Sequence, residues 1–156
     1  MKTSTRTLLL AGAVALACTS AGAQQAPKPE QLIKWRQSNF QVLALNTARI
    51  KAVIDGSGDK AQAAKAAAVI AALANAGLLT LFPPGTETGK GWHDTTVKPE
   101  FFKEADKVAA LNADFTKAAN DLARVAAGGD PAALKDEFGK LGKTCKSCHD
   151  DFRITN

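Results

Sequence analysis

Methionine is almost missing from this chain: its 156 residues hold one, Met1. Cysteine is scarce, with three residues, and histidine scarcer, with two. Each shortage excludes something. So few cysteines cannot make a disulfide framework, and the core must come from packing. No run reaches the roughly 20 consecutive apolar residues that a membrane-spanning helix needs. A formal net charge of +5 is too mild to argue for nucleic acid, and no Arg-rich or aromatic-interleaved stripe supports that class. No alternating strand pattern is convincing anywhere.

The start of the chain reads as a leader. Lys2 and Arg6 make a positive region, "LLLAGAVALA" at 8–17 is a short apolar stretch, and "AGA" at 21–23 suits a small-residue cleavage site. The expectation is a secretory signal over 1–23 and one domain over 24–156. The rival is a lipoprotein signal that makes an acylated Cys18 the new terminus. "ALAC" has the small residue before the cysteine, but Ala15 stands where leucine is usual, so the anchored form is disfavoured. Cleavage removes Lys2, Arg6 and no acid, which leaves a charge of +3. It also removes Met1 and Cys18, so Cys145 and Cys148 are the only thiols left.

Four helical patterns follow. Ile33, Arg36, Phe40, Leu43, Thr47, Ile50 and Ile54 step by three and four along one face until "DGSGD" ends the segment. An alanine-rich second segment runs to Phe82, with Ala63, Ala66, Ile70, Leu73 and Gly77 as a slim seam that lets a neighbour come close. "PPGTETGKGWHDTTVKP" reads as a surface loop. Pro99 suits the first turn of a third helix, whose seam is Phe101, Ala105, Val108, Asn112, Phe115, Ala119, Leu122 and Ala126. Asp130 can cap a fourth helix with Pro131 at its first position. That helix carries Leu134, Phe138, Leu141, Cys145, Cys148 and Phe152 on its seam. The pattern predicts an all-α, antiparallel up-down-up-down four-helix bundle.

"CKSCH", residues 145–149, is the C-x-x-C-H pattern of covalent haem attachment. Two thiols three apart on a helix project to one side and can add across the two vinyl groups of a haem. The adjacent imidazole of His149 can then reach the iron as its axial ligand. A zinc site needs four ligands as a rule, and outside the motif the chain offers only His93 and a few carboxylates. A redox dithiol sits at a helix start after a strand, whereas this pair lies deep in a terminal helix. Haem c, one per chain, is therefore the expected cofactor.

The opposite face of the iron is constrained by composition. Electron carriers of this kind commonly complete the iron with methionine, and Met1 leaves with the leader. His93 is the other imidazole, on a loop where solvated histidines are the rule. The simplest expectation is five-coordinate, high-spin iron. Arg36 lies on an otherwise apolar seam, where a lone charge asks for a partner: a haem propionate, bound bidentately, or else the bundle rim reached by snorkelling. Phe40, one turn on, is a lid over the open face, or simply a core aromatic. Arg153 follows His149 by four and either leans over the proximal side of the ring or is a C-terminal cation that suits the helix dipole. Lys140, Lys143 and Lys146 read as a solvated face, with docking of an acidic redox partner as the lesser use.

Taken together, "KPEQLIKWRQS", "FPPGTE" and "CKSCHDDFR" resemble the bacterial cytochrome c' family over nearly all of the mature chain. That resemblance implies haem contacts from Arg36 and Gln37, with Glu87 bordering the group. It places Phe40 at the apolar distal position, which is often Leu, sometimes Phe, and Met in low-spin relatives. Arg153 matches an arginine near the proximal face, and Phe152 replaces a more usual tyrosine. The family implies a periplasmic protein that binds nitric oxide and carbon monoxide, is not an enzyme, and commonly forms homodimers through the first helix. Nitric oxide buffering or detoxification is the expected role. The alternative is electron transfer with an unidentified periplasmic partner. Catalysis lacks support, because the seam places no distal acid-base residue.

Overall fold

The structure is a computed structural model and describes residues 26–154. The leader, its cleavage site and Cys18 lie outside these residues. Helix α1 spans Pro29–Ile54, α2 Lys60–Asn75, α3 Ala105–Gly128 and α4 Pro131–Phe152. The molecule is an all-α four-helix bundle. Short links join α1 to α2 and α3 to α4; the loop between α2 and α3 is long and carries two single 3-10 turns, Leu78–Leu81 and Pro99–Phe102.

Local chemistry sets the ends. Asp59 accepts from the Ala61 amide at the start of α2. Asp130 accepts from the amides of Ala132 and Ala133 at the start of α4, with Pro131 in its first turn. Each satisfies amides that the helix itself cannot. The second segment is shorter than its composition predicts. It stops at Asn75 because Gly77 turns left-handed, φ 77°, so Leu78–Leu81 forms a separate 3-10 turn and Gly77 closes the helix rather than lining its seam. Pro99 likewise opens the turn Pro99–Phe102 and not α3, which begins at Ala105 after a non-helical Glu104. Phe101 is drawn into an aromatic cluster there, stacked on Phe82 at 4.5 Å and edge-on to Phe152 at 5.5 Å.

The alanine seam does what small side chains allow. Ala63, Ala66, Ala67 and Ala74 are buried with Ile50, Ile70, Leu122, Leu134 and Leu141 in one core. Consecutive helices pack closely along it, whereas α1 meets α4 far less closely than it meets α2. The gap between α1 and α4 is where the site lies.

Candidate functional site: a cavity between the first and last helices

A cavity of about 520 Å³ opens between α1 and α4. From α4 it receives Cys145, Cys148 and His149, and from α1 Arg36, Gln37 and Phe40; Arg153 and His93 also line it. The motif residues thus face the residues from the first helix that the sequence singled out. Leu134 and Leu141 bury the inner face of α4 and aim both half-buried thiols inward. Burial pushes the Cys145 thiol above its ordinary value, with a hydrogen bond from Thr144 opposing. It pushes Cys148 the same way, reinforced by the charge of Asp151. Burial lowers His149, and the Arg153 cation lowers it further, with Asp150 opposing. Both effects favour the neutral imidazole, the form that has a lone pair to offer.

The end of α4 is pinned to the long loop. The Lys98 amide donates to the Phe152 carbonyl at 2.8 Å, and the Ile154 amide to that of Thr96 at 2.7 Å. Arg153 itself is exposed, on the cavity rim. Phe152 is buried against Phe101.

Arg36 is 3% exposed and so does not snorkel. Its Nη1 donates to Thr86 Oγ1 at 2.8 Å and its Nη2 to the Thr86 carbonyl at 2.7 Å and Thr95 Oγ1 at 2.5 Å. The Phe82 ring lies 4.7 Å from its Cζ. Burial lowers its pKa, and the charge of Glu87 partly restores it. Among the described residues no carboxylate is within ion-pair distance of Arg36, and no Asp or Glu lines the cavity. A buried guanidinium without a counter-ion fits a ligand that brings its own carboxylate.

Gln37 is committed to the loop. Its Nε2 donates to the His93 carbonyl at 2.9 Å, and its Oε1 accepts from the Trp92 amide at 2.7 Å. Gly91 makes this closeness possible, since a Cβ there would lie 2.8 Å from the Lys34 amide nitrogen. His93 is exposed, and its Nδ1 sits 2.8 Å from the Asp94 carbonyl. Glu87 turns back onto its own loop, where it accepts from the Gly85 amide at 2.7 Å, and it does not line the cavity. Phe40 is 38% exposed, which sets it apart from the core seam. Its ring faces His149 edge-on, with centroids 6.4 Å apart, and Phe82 at the same separation.

Two of the four lysines of α4 are paired within the helix. Lys140 pairs with Asp136 and Glu137, and Lys146 with Asp150. Among the described residues no group of three or more His, Cys, Asp or Glu is placed to hold a metal ion. Two threonines escaped the sequence reading. Thr86 and Thr95 sit in what read as a solvated loop, yet Thr86 is fully buried and both hold Arg36.

The residues present fit haem c: two thiols and a neutral imidazole on one side, a phenyl ring opposite, and an uncompensated cation for a carboxylate. Comparison with known proteins agrees. A family model described as Cytochrome C' matches residues 31–153. The cytochrome c' of Rhodocyclus tenuis is 58% identical over 127 residues, 81% of this chain and 96% of that protein. A solved cytochrome c', described as having an unusual ligand-controlled dimer dissociation, superposes with a TM-score of 0.80 at 43% identity, covering 83% of this chain and 98% of the other. Solved cytochromes c' from Alcaligenes xylosoxidans, 32% identical with a TM-score of 0.72 and covering 82% of this chain and 98% of theirs, include a carbon-monoxide-bound variant and a nitric oxide complex of another variant.

Proposed function

The chain belongs to the cytochrome c' family, whose members carry covalently attached haem c, and from that premise we propose that it binds nitric oxide and carbon monoxide in the periplasm and buffers or helps detoxify nitric oxide. One observation carries the reading. Across the cavity from His149 stands the phenyl ring of Phe40, 6.4 Å away between centroids, where an electron carrier would need a ligand. Haem, when bound, would supply the iron that takes up a diatomic gas. The chain does the rest. Cys145 and Cys148 would tether the group, and His149, whose neutral form burial favours, would hold its iron. Phe40 offers neither lone pair nor charge and has to swing aside to admit a ligand.

The same helix supplies a dimer surface. Trp35, Val42 and Leu45, at 43, 40 and 52% exposure, share the outer face of α1, and a second copy covers them in the homodimer that this reading includes. The absorption spectrum of the reduced holoprotein, before and after nitric oxide, tests the function. A high-spin spectrum that changes on addition is the expected outcome. A six-coordinate low-spin spectrum without added ligand would overturn it.

A further inference from the structure

Arg36 has less to offer a carboxylate than its position suggests. A guanidinium has five N–H donors. Nη1 spends its two on Thr86 Oγ1 and, at 3.5 Å, on the Leu81 carbonyl; Nη2 spends its two on the Thr86 carbonyl and Thr95 Oγ1. Only Nε–H is left without an acceptor among the described residues. A bidentate grip through both terminal nitrogens would break bonds that are already made. If a propionate is to be held firmly here, a second donor must stand beside Nε.

The two threonines differ in what they do with their protons. Thr86 accepts from Arg36 and donates its own hydroxyl proton to the Pro83 carbonyl at 2.8 Å, and it does not line the cavity. Thr95 Oγ1 accepts from Arg36 Nη2 and, at 3.4 Å, from the Val97 amide. With both lone pairs engaged, its hydroxyl proton has no protein acceptor among the described residues, and Thr95 lines the cavity. An N–H of a cation bonded to that oxygen polarises the O–H and makes it a stronger donor. Thr96 also lines the cavity, but no cation bonds its hydroxyl.

We propose that the Thr95 hydroxyl donates a hydrogen bond to a haem propionate, beside the Nε–H of Arg36, and that Thr86 serves only to position the guanidinium. This rests on covalent haem attachment and not on gas binding, so it is tested in the holoprotein with no gas present. Donation to the ionised form holds a carboxylate's pKa down. The charged or titratable groups near the site are Arg36 from α1, Glu87, Lys90, His93 and Asp94 from the loop, and His149 and Arg153 from α4 and its end, with the thiols of Cys145 and Cys148 taken up in haem attachment.

The readout is the pH dependence of the reduction potential, whose inflection reports a redox-linked group. Thr95→Val removes the O–H and should move that inflection upward by about one pH unit, the worth of one hydrogen bond to a charged group. Thr95→Ala should do the same if the valine fails to pack, and Thr95→Ser should restore the parent profile. Thr86→Val removes an equivalent partner of Arg36 but no proton facing the cavity, and should move the inflection by less than half as much. Three results overturn the assignment: a flat parent profile, a Thr86→Val shift as large as that of Thr95→Val, or an inflection that disappears in His93→Gln. Failure of the gas-binding reading would leave all of these measurements unaffected.

Discussion

Removing the ring of Phe40 should speed the entry of carbon monoxide. The ring makes two edge-on aromatic contacts, with Phe82 and with His149, each at 6.4 Å between centroids. In the holoprotein the haem would stand between Phe40 and His149, so the Phe82 pair is the contact that resists the swing, worth about 0.5–1.5 kcal/mol. If that cost sits in the barrier to binding, Phe40→Ala removes it, and the association rate rises about 2- to 13-fold. The ring is already 38% exposed, so its loss should destabilise the protein less than the roughly 3–5 kcal/mol of a buried Phe→Ala change. Rapid mixing of the reduced holoprotein with carbon monoxide measures the rate directly. A rate equal to the parent's would mean that Phe40 does not stand in the ligand's path. Slower binding would mean that the smaller side chain lets the cavity collapse or admits a competing ligand, and would equally refute the reasoning.

Gly91→Ala should loosen the loop from α1. The new Cβ would press on Gln37 Oε1, lie 2.8 Å from the Lys34 amide nitrogen and 2.9 Å from Ile33 Cγ2. Overpacking plus the weakened Gln37 hydrogen bonds costs about 2–3 kcal/mol, a fall of roughly 10 °C in melting temperature; an unchanged melting temperature would contradict the close approach. Leu45→Glu places a charge on the outer face of α1 and should raise the dimer dissociation constant at least about tenfold by sedimentation, whereas an unaffected dimer would put the interface elsewhere. In the haem-free chain, burial should hold half-maximal alkylation of Cys145 and Cys148 above the ordinary thiol value of 9.0. The unfolded chain then loses those protons first, so stability falls as pH rises through that value; thiols that alkylate at the ordinary pH would show that the inner face of α4 is open before haem arrives.

Much of this protein is legible one residue at a time. The C-x-x-C-H spacing puts two thiols on one face of a helix and an imidazole next to them, and helical periodicity alone turns them inward together with Leu134 and Leu141. The scarcity of methionine, with Met1 alone in the chain, is a matter of composition. Asp130 with Pro131, and the Gly-rich stop after Ile54, act within one turn of the chain, so local rules sufficed for them.

The long loop is different, because its conformation depends on partners far away in sequence. Gly77 and Glu104 break helices that alanine content and Pro99 favoured, and between the two breaks Phe82 and Phe101 stack on each other. Thr86 and Thr95 carry no signal in a polar loop; they become acceptors only because the fold brings them to Arg36, 50 and 59 residues away in sequence. In the assignment proposed above, the bidentate propionate grip that Arg36 alone suggested gives way to a shared one for the same reason. Sequence by itself determined the four-helix pattern, the C-x-x-C-H spacing and the scarcity of methionine, all of which rest on short-range periodicity and composition. Only tertiary structure decided how the buried cation is satisfied, since a hydrogen-bond donor is allotted by what lies within about 3 Å of it and not by its neighbours along the chain.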